Sequence, residues 1–212
     1  MSDGAPVHKP RLEALCDGVI AVVMTLLVLE LKIDHLPPNP TNAQIWAALL
    51  EIKRPLLGYL VAFAWTSLFW FVHHQMFALL HRINARFVAL TLVFLLTISL
   101  LPFSVSLLMR SNNAGVAGIV YYANFALVGV VLLGCWLYAR AIGLAERGSV
   151  AANAVTFRLV SMMGAGVTAT VASYFSYLLG TLFFVMILGI GGRLRRRYVA
   201  KALRLAPAVA AA

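Results

Sequence analysis

The chain has 212 residues, of which 62% are hydrophobic and 11% are charged, and its mean hydropathy is +0.92. Soluble domains carry about 25% charged residues, so this composition excludes a soluble globular protein, and so much apolar surface also excludes a disordered chain. The net charge of +10 would suit nucleic-acid binding only if it were clustered on one water-exposed face. The basic residues instead form short groups between apolar runs, which predicts an all-α membrane protein without a nucleic-acid partner.

Four apolar runs in the first two thirds of the chain have the length of a membrane-spanning helix, about 20 residues. Polar or proline-containing breaks such as Pro37-Pro38 and Arg54-Pro55 separate them. The predicted spans are residues 15–31, 56–80, 87–109 and 116–139.

The region after the fourth span is longer than one ordinary crossing. Residues 159–190 contain no charge, and as one helix these 32 residues would extend about 48 Å. We therefore expect two short helices, at residues 157–173 and 175–192, joined by a tight turn near residues 173–176. One tilted or kinked helix is the alternative. The prediction is a single six-helix transmembrane domain over residues 1–205, followed by a disordered tail at 206–212.

The distribution of Lys and Arg predicts the orientation, because these residues concentrate in cytoplasmic segments. With six spans and a cytoplasmic N-terminus, 13 of the 17 basic residues fall on the cytoplasmic side. Five spans would put the run Arg195-Arg196-Arg197 outside, against the rule. We expect a multi-pass protein of the cell membrane with both termini in the cytoplasm.

The sequence lacks the usual enzyme signatures: HExxH, GxSxG, GxxxxGK[ST] and a GxGxxG after a strand. It also lacks a TVGYG carbonyl filter and an Arg-rich voltage-sensing helix. Cys16 and Cys135 lie far apart without CxxC spacing, which predicts free buried thiols. We therefore expect neither an enzyme, nor a cofactor, nor a bound metal.

Asp17 lies a turn or two inside the first span, where a carboxylate is costly unless it is paired or hydrated. It either reaches the cytoplasmic headgroups or pairs with Arg11 or a histidine of another helix, and we favour the pairing. His73 and His74 lie at a similar depth in the second span. As neighbours they point about 100° apart and cannot chelate one metal. A structural role for them is commoner than a proton relay.

The first span also carries an apolar stripe at spacings of three and four residues. Thr25 lies about 60° to one side of this stripe, and Asp17 lies about 140° from Val22. Taken alone, such a stripe is expected to face lipid or a neighbouring helix. Its members are Leu15, Gly18, Val22, Leu26 and Leu29.

Two acidic residues, Glu30 and Asp34, close the outer end of the first span. If several copies of this helix met around an axis, they would form acidic rings that attract cations. A pair with Lys32 or Arg54 at the interface is the simpler interpretation, and from this pattern alone we favour it.

Three segments in the first half of the chain resemble the transmembrane protein 175 family of potassium channels. The first resembles the family's first-helix signature, and the others are similar to parts of its second and third helices. They are Arg11-x-x-x-Leu15-Cys16-Asp17-Gly18-Val19, Trp70-x-x-His73-His74-x-x-Phe77 and Leu101-Pro102-Phe103.

The resemblance implies a potassium-preferring channel, a bacterial homotetramer of six-helix subunits in which the first helix lines the pore. It places the apolar constriction on Val22, Leu26 and Leu29 and a selectivity candidate on Thr25. It places an inter-helix network on Arg11, Asp17 and His73 or His74. The chain departs from the family at Cys16, where a serine is expected, at Thr91, where an asparagine is expected, and at Val22, where a larger Ile or Leu is expected.

The expected partners are potassium ions, the lipid bilayer and further copies of the chain, with gating by dewetting of the apolar rings. The alternative is a proton-conducting or proton-coupled transporter that uses Asp17 and His73 or His74. A membrane scaffold leaves no signature by which to exclude it.

Overall fold

The computed structural model of the chain describes residues 8–33, 36–111, 114–146 and 148–210, and these residues are helical apart from short connections. Six segments are long and apolar enough to cross a membrane: Lys9–Glu30, Pro55–Ala78, Ala85–Arg110, Gly115–Ala141, Val150–Phe175 and Tyr177–Ala202. The prediction of an all-α protein with six spanning helices is confirmed. The helices are α1 (Lys9–Leu26), α2 (Asn42–Glu51), α3 (Lys53–Ala78), α4 (Ala85–Ile98), α5 (Leu101–Arg110), α6 (Ala114–Ala141), α7 (Val150–Phe175) and α8 (Tyr177–Ala210), and a 3₁₀ turn (Leu27–Glu30) continues α1.

The third span consists of two helices, α4 and α5, because Pro102 interrupts the helical hydrogen bonds. Proline has no N–H to donate and its ring clashes with the preceding turn. The chain tightens locally, so that the Leu100 amide donates to the Thr97 carbonyl at 3.3 Å, and helical bonding resumes from Ser104 to Leu100. The two helices together form one candidate span, Ala85–Arg110, although its helical hydrogen bonds are interrupted at this point.

One helix outside the six spans, α2, lies between the first and second spans. Its start has a capping box, in which Thr41 accepts from the Gln44 amide and the Gln44 side chain accepts from the Thr41 amide. This reciprocal pair satisfies two amides that a helix start would otherwise leave without partners. The sequence contains this capping-box signature at Thr41 and Gln44, but α2 was not among the predicted elements.

The last two spans form an antiparallel hairpin that turns at Ser176. This residue has extended backbone angles (φ −164°, ψ 136°) between α7 and α8. Gly180 packs against Ser173, and Gly191 packs against Ser161, so the two helices run alongside each other at close range. Both are longer than predicted, because good helix formers continue each helix past its apolar part. The helix α8 includes residues up to Ala210, within the segment where we expected a disordered tail.

The core is centred on α6, which packs against α4, α5 and α7. Small residues bring α6 and α7 close together: a Cβ added to Gly166 would lie 2.7 Å from the Ala126 Cα, and one added to Gly129 would lie 3.3 Å from the Met163 Cα. Close backbone approach at small residues is typical of helix pairs in membranes. Because α6 fills the interior, α1 lies to one side of the bundle and packs on α3, α4 and α5.

Several contacts hold together one end of the bundle, which we name the basic end. Lys9 Nζ donates to the Leu80 carbonyl at 2.8 Å, and the His81 amide donates to the Leu144 carbonyl at 2.9 Å. The start of α1, the end of α3 and the connection between α6 and α7 therefore meet here. The far part of α8 reaches the same end, since the Asn153 side chain donates to the Tyr198 hydroxyl at 3.1 Å.

Candidate pore-lining helix and its contacts

The first span has one buried face and one exposed face. The buried residues pack into the core, and the exposed ones include every member of the predicted stripe. The buried face consists of Leu12, Cys16, Ile20, Val23 and Leu27, and the exposed face includes Leu15, Gly18, Val22, Thr25, Leu26 and Leu29.

The three predicted constriction residues are apolar side chains with large exposed fractions in the single chain. Val22, Leu26 and Leu29 are 56%, 42% and 61% exposed. In a 3₁₀ turn, side chains three residues apart eclipse each other. Leu29 therefore lies in line with Leu26, and the exposed apolar row continues straight to the end of the span.

Thr25 lies beside this row with its hydroxyl proton engaged. The hydroxyl donates to the Val22 carbonyl at 2.9 Å. This bond to the preceding turn uses the only donor of the side chain and leaves the lone pairs of Oγ1 as acceptors. Thr25 therefore presents oxygen, rather than a hydrogen-bond donor, on the exposed side of α1.

Glu30 turns away from the exposed row. The 3₁₀ turn brings it into line with the buried Leu27. Its Oε2 accepts from Ser106 Oγ at 2.6 Å and from Arg110 Nη2 at 3.4 Å. The carboxylate therefore pairs with α5, a partner that the sequence did not indicate. Asp34, the second acidic residue of the predicted outer mouth, lies outside the described residues.

Two polar rungs join α1 to α3. Trp70 Nε1 donates to Asp17 Oδ1 at 2.9 Å, and one turn nearer the basic end His74 Nδ1 lies 3.5 Å from Glu13 Oε1. The rings of Trp70 and His74 stack, with centroids 5.6 Å apart, so the two rungs form one unit. Together with the apolar face, these rungs fix the rotation of α1 about its own axis.

The other two residues of the predicted network lie differently. His73 is fully buried between aromatic rings, 4.3 Å from the Phe77 centroid and 5.3 Å from that of Phe94. Within the described part of the chain, neither of its ring nitrogens has a hydrogen-bond partner. The side chain of Arg11 is exposed and makes no hydrogen bond to a described residue. Asp17 thus bonds to Trp70 rather than to Arg11 or a histidine.

Trp70 and Glu13 are the network residues that we missed in the sequence. Glu13 lies four residues before Asp17 and Trp70 four before His74, so each pair occupies one face of its helix. When the two helices run antiparallel, these pairs meet as two rungs. The spacing was readable in the sequence, but the pairing of α1 with α3 was not.

Comparison with known proteins supports the resemblance seen in the motifs. The family model described as endosomal/lysosomal potassium channel TMEM175 matches residues 11–102, which include α1, both rungs and the proline of the third span. A crystal structure of a lysosomal potassium-selective channel TMEM175 homolog from Chamaesiphon minutus superimposes with a TM-score of 0.72 at 27% identity. The match covers 87% of this chain and 97% of that one.

The chain is similar to the TMEM175 family over residues 11–102, which are less than half of its length. A second crystal structure, of a variant of the potassium channel MtTMEM175, matches with a TM-score of 0.62 at 14% identity, and at that identity it supports the fold alone. That match covers 88% of this chain and 93% of the other. The predicted resemblance is therefore confirmed, and the similarity of fold extends well beyond the first half of the chain.

Curated relatives match over part of their length. A potassium channel from Chryseobacterium sp. is 32% identical over 50% of this chain, and one from Chamaesiphon minutus is 32% identical over 61%. The chain covers 52% and 64% of the lengths of these two relatives. The human endosomal/lysosomal proton channel TMEM175 is 38% identical over 34% of this chain and 15% of its own length.

Proposed function

We propose that the chain is a subunit of a potassium-preferring cation channel in a bacterial cell membrane, with α1 lining the pore. The observation that carries the proposal is the exposed row of Val22, Leu26 and Leu29 in a chain that is similar to the TMEM175 channels. The two rungs to α3 hold α1 in one rotation, so every copy would present the same row. Four copies around an axis would close these rows into apolar rings.

The proposed gate is a hydrophobic constriction with no pore loop. Apolar rings exclude water when they are narrow, and an ion cannot pass without its hydration shell or a substitute for it. At position 22 the ring would consist of valines, the smallest of the three side chains, and would be the easiest to wet. Opening requires only that α1 move outward enough for water to enter.

Thr25 is the proposed selectivity element. Its hydroxyl proton is engaged by the Val22 carbonyl, so its oxygen would face a passing ion with lone pairs only. Rings of such oxygens favour cations over anions. Glu30 would attract cations less than an unpaired carboxylate does, because its Oε2 contacts Ser106 and Arg110. Attraction of cations at this end would then depend on Asp34.

The proposed orientation has the basic end in the cytoplasm. Basic side chains at this end come from several elements, and the rule of positive charge inside favours that placement. Both termini would then be cytoplasmic. The described examples include Lys9, Arg82, Arg86, Arg140 and Arg195.

Potassium flux into liposomes tests the gate. Val22→Asn and Leu26→Asn place a polar group in the apolar rings, so we expect flux to rise several-fold through easier wetting. The matched control is Val28→Asn, which changes an equally exposed apolar residue of the same span that lies off the row. Flux that responds equally to all three variants, or to none, would contradict the mechanism.

The oligomer is tested separately, by the mass of the detergent-solubilised protein. We expect four subunits. A monomer or dimer that still conducts potassium would contradict the arrangement of four α1 helices around one pore.

A proton-conducting protein is the second candidate. It is supported by the vertebrate relatives named proton channels and by the ionisable residues Asp17, Glu13 and His74 along α1 and α3. This candidate predicts proton flux that is lost in Asp17→Asn and unaffected by Leu26→Asn. The potassium channel predicts the reverse, so one pair of variants measured with both ions separates the two.

A further inference from the structure

A small cavity with two arginines and no acidic partner lies between α3, α7 and α8 near the basic end. Its volume is about 210 Å³, and Arg158 of α7 and Arg195 of α8 both line it. The ion pairs of the described residues are His74–Glu13 and Arg110–Glu30, so neither arginine takes part in one. Two like charges beside one partly buried cavity favour an anionic ligand between them.

The two guanidinium groups are positioned rather than freely solvated. Arg158 Nη1 donates to Gln75 Oε1 at 2.9 Å, and its guanidinium lies 5.1 Å from the Phe71 ring centroid. Arg195 is half-buried, whereas its neighbours Arg196 and Arg197 are exposed. Gly192 on the cavity wall leaves open space where a side chain would be. Of the three consecutive arginines, Arg195 is thus directed inward, at a site with room for a ligand.

A second, apolar cavity continues from the first along the same side of the bundle. Its volume is about 430 Å³, and Trp65 lines both cavities. It passes between Val61 of α3 and Val185 of α8, and the hydrogen bond between Tyr122 and Thr181 lies on its wall. The groove is open because α3 packs against α1, α5 and α7, while α8 packs against α6 and α7.

The dimensions of this α3–α8 groove fit a lipid. On α8 the lining residues lie on one helical face between Tyr177 and Arg195. Eighteen residues of helix extend about 27 Å, whereas one leaflet of a bilayer has a hydrocarbon depth of roughly 15 Å. The groove therefore has charge at one end and an apolar wall that is longer than one leaflet.

We propose that the α3–α8 groove binds an anionic phospholipid. The phosphodiester accepts hydrogen bonds from Arg158 and Arg195, and one acyl chain follows Trp65 into the apolar cavity. Basic pockets between membrane helices at the cytoplasmic side recognise lipid headgroups in this way. The adjoining apolar cavity favours a lipid over a soluble phosphate, which would leave the larger cavity empty. The bound lipid would link α3, which holds α1, to α7 and α8.

Native mass spectrometry of the full-length detergent-solubilised protein tests the headgroup site. We expect phosphatidylglycerol to bind at least tenfold more tightly than phosphatidylcholine with the same chains. Arg195→Gln should reduce this preference by about tenfold, since one lost charge-assisted hydrogen bond is worth that factor. Arg196→Gln, the same charge change one residue away, should alter it less than twofold. Equal loss in both variants, or no preference in the wild type, would overturn the proposal.

Two further experiments test whether an acyl chain occupies the apolar cavity. Val61→Trp fills the apolar cavity and should weaken phosphatidylglycerol binding, whereas Val171→Trp, at an exposed valine outside both cavities, should not. Glycerol 3-phosphate, which has the headgroup phosphate without chains, should compete poorly. Full competition by glycerol 3-phosphate, or unchanged lipid binding in Val61→Trp, would overturn the lipid assignment. The unfolding temperature of each variant, measured without added lipid, shows whether weaker binding comes from a changed site or from a destabilised fold. The binding assay does not depend on whether the protein conducts ions.

Discussion

The first and fourth spans have nearly equal hydropathy and opposite surroundings. In the first span 28% of the most apolar window is buried inside the subunit, against 61% in the fourth. The fourth span, α6, is surrounded by α4, α5 and α7, and small residues such as Ala126 and Gly129 let α7 approach closely. The first keeps a whole face free. Hydropathy therefore reports that a helix is in the membrane, but not whether lipid, protein or water lies beside it.

The different contacts of the two helices explain this contrast. In a bilayer, burial of apolar side chains gains little, because lipid is equally apolar, and helices associate through close packing and polar contacts. Close packing holds α6. On one side of α1, apolar packing and the two rungs to α3 hold the helix and leave Val22, Leu26 and Leu29 exposed.

The largest effect on stability is expected at Leu27, and the neighbouring Leu26 provides the comparison. Leu27 is fully buried and Leu26 is 42% exposed. Leu27→Ala should lower the free energy of unfolding by about 2 kcal/mol. This value lies near the lower end of the range for buried leucines, because on unfolding the side chain moves into detergent rather than into water. Leu26→Ala should leave stability nearly unchanged and alter potassium flux. Unfolding in detergent and liposome flux measure the two effects, and equal stability losses would contradict the assignment of faces.

The close contact between α6 and α7 predicts a somewhat smaller effect. Gly166→Ala should lower the free energy of unfolding by about 1–2 kcal/mol, because the added Cβ meets the backbone of Ala126. Gly164 lies on the same helix with open space around it, so Gly164→Ala should stabilise slightly by favouring the helix. Thermal unfolding of both variants checks this, and destabilisation by both would refute it.

Because of the hydrogen bond from Trp70 to Asp17, Trp70→Phe should lower the free energy of unfolding by about 1 kcal/mol. This is the usual contribution of a partly exposed hydrogen bond. The phenyl ring can still stack on His74, so mainly the N–H is lost. Trp46→Phe changes an exposed tryptophan of α2 and serves as the control. If Trp70→Phe matches this control in stability, the rung does not fix α1.

The smallest effect is expected at the ion pair between Glu30 and Arg110. Because Arg110 is largely exposed, Glu30→Gln should cost at most about 0.5 kcal/mol, and less at high salt. Glu51→Gln, at an exposed glutamate of α2, provides the control. A loss well above about 1 kcal/mol would mean that the bond from Ser106 is the stronger contact of this carboxylate.

The sequence predicted the features that depend on local pattern. Runs of apolar residues gave the first four spans, and the spacing of Leu15, Gly18, Val22, Leu26 and Leu29 gave the row that the structure leaves exposed. The break between the last two spans fell at Ser176, within the predicted turn. The predictions of the spans and of the turn succeeded because length and hydropathy are properties of one segment, whereas the role of the row in lining a pore stays a prediction.

Contacts between segments were predicted less well. The Asp17 carboxylate has Trp70 as its partner, and Glu30 has Ser106 and Arg110. Which helix lies opposite another depends on packing across the whole bundle, and several basic or aromatic residues at the same depth were equally suitable partners. The constriction, the selectivity role of Thr25 and the outer mouth remain predictions.

The sequence by itself determined that this protein is helical, crosses the membrane six times and carries its positive charge mainly at one end. Those properties follow from the cost of placing polar backbone and charge in hydrocarbon, which each segment meets independently. The tertiary structure alone decided which side of α1 is covered, which partners Asp17 and Glu30 take, and that α3 and α8 leave a groove between them. These outcomes require the helices to choose neighbours, and in an apolar solvent that choice depends on close fit and polar contacts rather than on hydropathy.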